Sequence, residues 1–322
     1  MSLKEIKSVV ENELKEFDGF FSKELKSKAP LLNTILKYVL RKKGKQIRPL
    51  FVFLSAGITG KINPKTYRGA AMIELLHTAT LVHDDVVDDS FQRRGLFSIN
   101  ALWKNKISVL VGDYMLSKGL LISVENGDYD LLEITSNAVK QMSEGELIQI
   151  EKARNLNTKE DIYFDIISKK TASLIQASCL IGAKSVMAGE KETELISNFG
   201  HNMGIAFQIK DDLLDFNSKD TGKPAGTDIK EKKLTLPLIY ALNVAGKSEQ
   251  RKILSLVSKG KNQKEVYEQV YSFINQFGGF EYAQDKMTEY KHIALDNLYN
   301  LPESSYRNAM EQLVEFTTSR KD

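Results

Sequence analysis

Cysteine is almost missing from this chain: Cys179 stands alone among 322 residues. No disulfide can form within it, which excludes the stapled secreted scaffolds and agrees with a reducing compartment. Proline is scarce as well, six in all and none between Pro64 and Pro224, so that stretch lacks the residue that most reliably breaks helices. Charge of one sign is absent too. Lys and Arg number 45 against 42 Asp and Glu, and no basic run is interleaved with aromatics, which argues against nucleic acid as a partner. The longest charge-free stretch with helical texture, Thr171 to Ala183, is too short to cross a bilayer and reads as a buried helix. The opening MSLKEIKSVVENELKEF is charged and amphipathic, without a secretory apolar core. These features predict a soluble, cytoplasmic protein with no transmembrane segment.

What is present is helical texture. Leu, Ile, Ala, Lys and Glu recur at intervals of three and four, while sustained period-two alternation and hairpin turns between apolar runs are lacking. The spacing predicts helices over 3–25, 31–41, 50–59, 65–89, 100–103, 107–124, 128–152, 158–182, 190–216, 233–244, 248–258, 263–276, 279–298 and 303–318. The expected fold is all-α, a single many-helix domain over 1–322.

Two clusters stand out: Asp84-Asp85-Val86-Val87-Asp88 and Asp211-Asp212-Leu213-Leu214-Asp215. At 3.6 residues per turn, the first and last aspartates of each share a helix face, where unpaired carboxylates repel. Carboxylates held together usually hold a cation, and Mg²⁺ on a substrate phosphate is the commonest candidate. His77 lies two turns before Asp84 on the same face. A lone histidine there is as readily a satisfied core residue as a ligand.

Gly44-Lys45-Gln46-Ile47-Arg48-Pro49 is either a solvated basic loop or an anion site before a helix. Arg48 precedes a proline and is expected to be extended, with Pro49 in the first helical turn. Arg93-Arg94-Gly95 after the first cluster is a charged helix end or a phosphate clamp. Neither Gly60-Lys61 nor Gly222-Lys223 has the rest of a Walker loop, and the aspartates do not follow the calcium-loop pattern.

Together these segments resemble the trans-isoprenyl diphosphate synthase (polyprenyl synthetase) family. The carriers are GKQIRP, LVHDDVVDDSFQRRG, Lys170-Thr171 and FQIKDDLLD, in order, from about Gly44 to Pro237. The resemblance implies an isoprenoid synthase-like fold around a deep central cavity, usually in a homodimer. It makes Asp84, Asp88, Asp211 and Asp215 Mg²⁺ ligands, with Asp85 and Asp212 supporting or ligating. Arg93, Lys170, Thr171, Gln208 and Lys223 would hold the allylic diphosphate, and Lys45, Arg48, His77 and Arg94 isopentenyl diphosphate. Glu231-Lys232-Lys233 departs from the family's usual Glu-Gly-Lys, leaving the roles of both lysines open.

The implied reaction is head-to-tail condensation through an allylic cation. In this family, bulky residues upstream of the first motif stop chain growth. Ala79, Thr80, Leu76 and Ile73 occupy those positions here, with no ring near the metals. The expected product is therefore longer than farnesyl, such as hexa- to octaprenyl diphosphate for quinone side chains. A shorter-chain farnesyl or geranylgeranyl synthase, a terpene cyclase and a non-catalytic subunit are the competing readings. The basic loop and His77 count against a cyclase, and the two intact clusters against a silent subunit.

Overall fold

The computed structural model describes residues 2–41, 44–88, 90, 92–93, 96–216, 226–260 and 262–320. Among them the chain is all-α apart from one two-residue antiparallel ribbon. The helices are α1 Leu3–Ser8, α2 Glu11–Glu24, α3 Pro30–Arg41, α4 Ile47–Thr59 and α5 Pro64–Val87. After the ribbon (β1 Gln92–Arg93, β2 Leu96–Phe97) come α6 Ile99–Asn126, α7 Tyr129–Asn155, α8 Glu160–Ile167, a π-helical turn Ser168–Ala172, α9 Ser173–Ser185 and α10 Glu190–Asp215. Then follow α11 Thr227–Lys230, α12 Leu236–Val244, α13 Lys247–Lys259, α14 Gln263–Gln276, α15 Gly279–Tyr299 and α16 Ser305–Ser319.

The chain packs as two compact units. One comprises Met1–Val139, Ala177–Ser197 and Leu301–Met310; the other Lys140–Gln176, Asn198–Asn300 and Glu311–Asp322. The first is centred on α4 and α5. Phe17, Phe51, Phe53, Met72, Ile73, Leu75 and Met115 are almost fully enclosed, and Phe53 makes edge contacts with Phe17 and Tyr67. Asn63 caps α5 by accepting from Lys65 N, and Pro64 stands at the first helical position, where a missing N–H costs nothing. Close approach along α9 depends on Gly182: a Cβ there would meet the Val52 carbonyl and the Ser55 side chain. In the second unit, Tyr163, Ile205, Ile209, Phe216, Leu236, Ile239, Val270 and Ile274 belong to one buried cluster.

Several expectations change. The helix expected over 3–25 breaks at Val9–Val10, where Val10 leaves helical geometry (φ −128°, ψ 32°). β-branched residues hold helices weakly, and here two stand in succession. Arg48 is helical rather than extended, because α4 begins at Ile47 and the chain turns at Gln46 (φ 49°) instead. Pro49 stays in the first turn. The break expected between 103 and 107 is a kink at Lys104 (φ 69°) inside one helix, α6.

That continuity makes α6, at 28 residues, much longer than Thr171–Ala183. It is the one helix among the described residues long and apolar enough, by length and composition, to span a membrane. It packs along α5, with Gly119 beside Leu75, and only about a third of its apolar window is buried. The short α11 and the ribbon escaped the sequence reading because neither is long enough to show a period.

Candidate active site

The first cluster ends α5. Asp85 is 3% exposed and Asp84 partly exposed, while Asp88, at the C-cap, is exposed. Successive helical side chains turn by about 100°, so burying the middle aspartate leaves its neighbours at i−1 and i+3 on the accessible face. Asn100 on α6 donates to the Asp85 carbonyl at 3.4 Å.

His77, on the same helix, is buried and lies against Arg48: Nη1 donates to Nε2 at 2.9 Å. A guanidinium cannot accept, so this bond holds His77 with its proton on Nδ1 when neutral. Two expected contacts of the same diphosphate, 29 residues apart, are thus brought together. Lys45 is exposed in the turn before α4. Ile73, Leu76 and Ala79 are buried on α5, and Thr80 Oγ1 donates to the His77 carbonyl. Arg93 lies in the ribbon, whereas Arg94 and Lys223 lie outside the described residues.

In the second unit the middle aspartate is again the buried one. Asp212 is 4% exposed, and both its oxygens are engaged: Oδ2 accepts from Tyr163 Oη at 2.7 Å and Oδ1 from Gln208 Nε2 at 2.8 Å. Gln208 Oε1 accepts from Thr171 Oγ1 at 2.7 Å. Asp215 accepts from the N–H groups of Thr227 and Asp228 at 3.2 and 3.1 Å, which ties the end of α10 to α11. Asp211 pairs with Arg320.

Burial raises the affinity of these carboxyls for protons. Asp212 is pushed well up by desolvation and by Asp228, Asp215 is raised by desolvation, and Asp228 is pushed up to about 6 by desolvation and Asp215. The Tyr163 phenol is raised by desolvation and by Asp212. Such stacking of negative charge in a poorly solvated place is what a bound cation would relieve.

Lys170 and Thr171 sit in the π-helical turn, in which the Ser173 N–H bonds to the Ser168 carbonyl five residues back. π-turns are rare and cluster at functional sites. Two glycines make room for this one. A Cβ on Gly204 would lie 2.5 Å from Ala172 Cα, and one on Gly145 2.9 Å from the Lys170 nitrogen. Glu146, one residue on, pairs with Lys170.

Lys170, Thr171, Gln208, Asp212, Asp228 and Lys233 line one pocket of about 100 Å³. At ~30 Å³ per liquid water, that volume suits a phosphate group rather than a prenyl tail. A larger pocket of about 490 Å³ in the first unit is lined by Glu16, Glu24 and Tyr67. Its one arginine, Arg68, is already held bidentately by Asp128 at 2.6 and 3.1 Å, so it offers a diphosphate little.

Tyr163, Glu146, Asp228, Lys233 and Arg320 were not assigned site roles from sequence. Lys233 had a motif signal, and its neighbour explains the unusual Glu231-Lys232-Lys233. Lys232 is left-handed (φ 60°), the conformation that glycine adopts freely. The others touch the motif residues only through packing.

Among the described residues, no three His, Cys, Asp or Glu side chains converge into a metal cage. Mg²⁺ does not need one, since it takes one or two carboxylates and fills its octahedron with water and phosphate oxygens. Accessible, hard oxygen donors at i and i+4 fit that demand.

The polyprenyl synthetase family model matches residues 29–274. The chain is 38% identical to an all-trans-nonaprenyl-diphosphate synthase (geranyl-diphosphate specific) of Rhodobacter capsulatus, over 98% of this chain and 97% of the other. It is 32% identical to the octaprenyl diphosphate synthase of Escherichia coli K12, over 99% of each. A decaprenyl diphosphate synthase from Rhodobacter capsulatus superposes with a TM-score of 0.94 at 33% identity, covering all of both chains. A polyprenyl synthase from Caulobacter crescentus, solved with calcium and isoprenyl diphosphate, superposes at 0.91 with 30% identity, over 100% of this chain and 98% of the other. Full-length likeness of this order, on top of two intact aspartate motifs, identifies the chain as a member of the polyprenyl synthetase family and a trans-prenyltransferase.

Proposed function

We propose that this protein condenses isopentenyl diphosphate head-to-tail onto an allylic diphosphate and extends the chain beyond farnesyl, to a product of roughly the hexa- to octaprenyl class. The observation that carries the reading is the phosphate-sized pocket shared by Lys170, Thr171, Gln208, Asp212 and Lys233 beside the second aspartate cluster. Relatives named for octaprenyl and nonaprenyl products support the length, as do the small residues Ala79 and Thr80 upstream of the first cluster. Quinone side chains are the fitting use for such a product.

Asp84, Asp88, Asp211 and Asp215 would hold Mg²⁺, which when bound neutralises charge gathering on a departing diphosphate. Arg93, Lys170, Gln208, Lys223 and Lys233 hold the allylic diphosphate, with Thr171 beside it. Lys45, Arg48, His77 and Arg94 hold isopentenyl diphosphate. The Arg48–His77 bond presets that second site, because it orients the guanidinium before any ligand arrives. The allylic C–O bond breaks with its electron pair leaving on the diphosphate. The isopentenyl alkene then attacks the cation, and loss of a proton restores a double bond. Apolar walls keep water from quenching the cation.

The exposed apolar side chains of α6, among them Leu102, Val109, Leu110, Leu120 and Leu121, support pairing with a second copy as a homodimer. The whole chain is read as one catalytic domain.

The test is an incubation with radiolabelled isopentenyl diphosphate, several allylic primers and Mg²⁺, followed by product sizing. Asp84→Ala and Asp211→Ala should each abolish turnover, and near-normal activity in either variant would overturn the assignment. Farnesyl diphosphate as the end product would overturn the chain length alone. A product formed without isopentenyl diphosphate would mark a cyclase.

A further inference from the structure

Gln46 holds the left-handed conformation (φ 49°, ψ 38°) immediately before α4, a geometry that is unfavourable for a residue with a Cβ. Strain of that kind persists only where the surroundings overdetermine it, and it gathers at functional sites. Gln46 is held at two points. Its carbonyl accepts from the Leu50 N–H at 3.2 Å, the first bond of α4. Its side chain gives α4 no cap; Nε2 donates instead to Asp18 Oδ1 on α2, at 2.9 Å. The place of Asp18 is fixed in turn by its neighbour Phe17, which is fully enclosed and meets Phe53 of α4 edge-on at 5.9 Å.

We propose that Asp18 is a positioning residue for isopentenyl diphosphate: by holding the Gln46 amide it stabilises the left-handed turn that carries Lys45 on one side and Arg48 on the other. The inference rests on the assignment of Lys45, Arg48 and His77 to that diphosphate above. The turn decides where Arg48 goes. With Gln46 left-handed, α4 starts at Ile47 and Arg48 is helical, the placement from which Nη1 reaches His77 Nε2 at 2.9 Å. Were Gln46 to leave that region, Lys45 and Arg48 would lose their relative placement. A protein in which only a fraction of molecules holds the turn binds its ligand more weakly by that fraction. Asp18 also faces the partly buried Lys7 ammonium. The two roles are separable, because Gln46 needs an acceptor oxygen and Lys7 a negative charge.

Asp18→Ala removes the acceptor. It should raise the KM for isopentenyl diphosphate about fivefold, the net effect of one partly buried hydrogen bond. Both kcat and the KM for the allylic diphosphate should stay within about twofold, since what is lost is the readiness of one binding site. Asp18→Asn keeps an oxygen for Gln46 Nε2 and loses only the charge facing Lys7, so it should recover most of that loss.

The decisive reading is taken in a Gln46→Gly background. Glycine enters the left-handed region freely, so the turn there needs no tether, and Asp18→Ala should add less than about twofold to the KM. An aspartate with a merely structural role costs the same in both backgrounds. An unmoved KM for isopentenyl diphosphate in folded Asp18→Ala, an equal rise for both substrates, or a loss of the same size over Gln46→Gly would overturn the proposal. So would an Asp18→Asn protein as impaired as Asp18→Ala, which would assign the effect to Lys7. Should Asp18→Ala melt below assay temperature, Gln46→Ala removes the same bond from its other end and is read against Gln46→Gly, with the same rise expected. Arg48→Ala separates this inference from the assignment beneath it. An unchanged KM for isopentenyl diphosphate in that variant would bring down the site itself, whereas a raised one with Asp18→Ala unmoved sinks the role of Asp18 alone.

Discussion

Arg320 reaches back to Asp211. Its Nη2 pairs with Oδ1 of the first carboxylate in the second cluster, and its guanidinium lies over the Phe207 ring at 4.5 Å. The arginine side chain is 16% exposed and the aspartate 41%, so this is a half-desolvated pair, stiffened by the aromatic face. A cation therefore already neutralises a carboxylate expected to hold a metal.

If the pair competes with the metal, Arg320→Ala should bind Mn²⁺ roughly two- to fivefold more tightly in the absence of diphosphate, in keeping with the modest worth of a partly exposed ion pair. Mn²⁺ electron paramagnetic resonance measures this directly. Lys210→Ala changes the charge equally without opening the pair and serves as the control. Equal affinities for the two variants would show that Arg320 does not shield Asp211.

Lys232 holds a left-handed backbone at φ 60°, which costs an L-residue with a Cβ about 1–2 kcal/mol. Lys232→Gly removes that strain but frees the unfolded chain, so a net gain of about 0.5–1 kcal/mol is expected. A thermal melt should rise by a degree or two. Lys233, whose Nζ stands 2.5 Å from Glu231 Oε2, keeps its place in the pocket, so kcat should be unchanged.

Asp228 supplies a pH signature. Its proton is held more tightly in the folded protein, up to about 6 against an ordinary 3.8, chiefly through burial and then Asp215. Below 3.8 both folded and unfolded chains carry the proton and no cost arises. As the pH rises from about 4 to about 6 the folded state retains it longer, so this group erodes stability across that window. In metal-free buffer Asp228→Asn should flatten that part of the profile and raise the melting temperature at pH 7.5. An unchanged difference between pH 4 and pH 6.5 would place the titration elsewhere.

Ala79 is fully buried on α5, five residues before Asp84. Ala79→Phe should shorten the product, read by reversed-phase chromatography after acid-phosphatase treatment. Overpacking is expected to cost about 1–3 kcal/mol, so the assay belongs well below the melting temperature. An unchanged product length would move the floor of the tunnel away from this position.

Much of this was legible in the sequence because it is periodic or local. The spacing of apolar residues marked α3, α5, α10, α14 and α15 nearly to their ends, and Asp-Asp-x-x-Asp at helical spacing marked both clusters. Short or irregular pieces were not. α11, the ribbon and the π-turn at Lys170 carry too few residues for a period, and the π-turn depends on the absent side chains of Gly145 and Gly204. Arg48 was expected to be extended because it precedes a proline, but a left-handed turn at Gln46 starts the helix two residues earlier than Pro49.

The sequence by itself determined the helical class and the two sets of carboxylates, since residue type and spacing along a helix dictate which groups share a face. Only the tertiary structure decided which aspartate of each cluster turns inward, Asp85 and Asp212. It alone revealed the partners Tyr163 and Arg320, 49 and 109 residues from the carboxylates they hold. Motifs record what lies along one helix. Burial, and the hydrogen bonds that must accompany it, depend on what another helix brings.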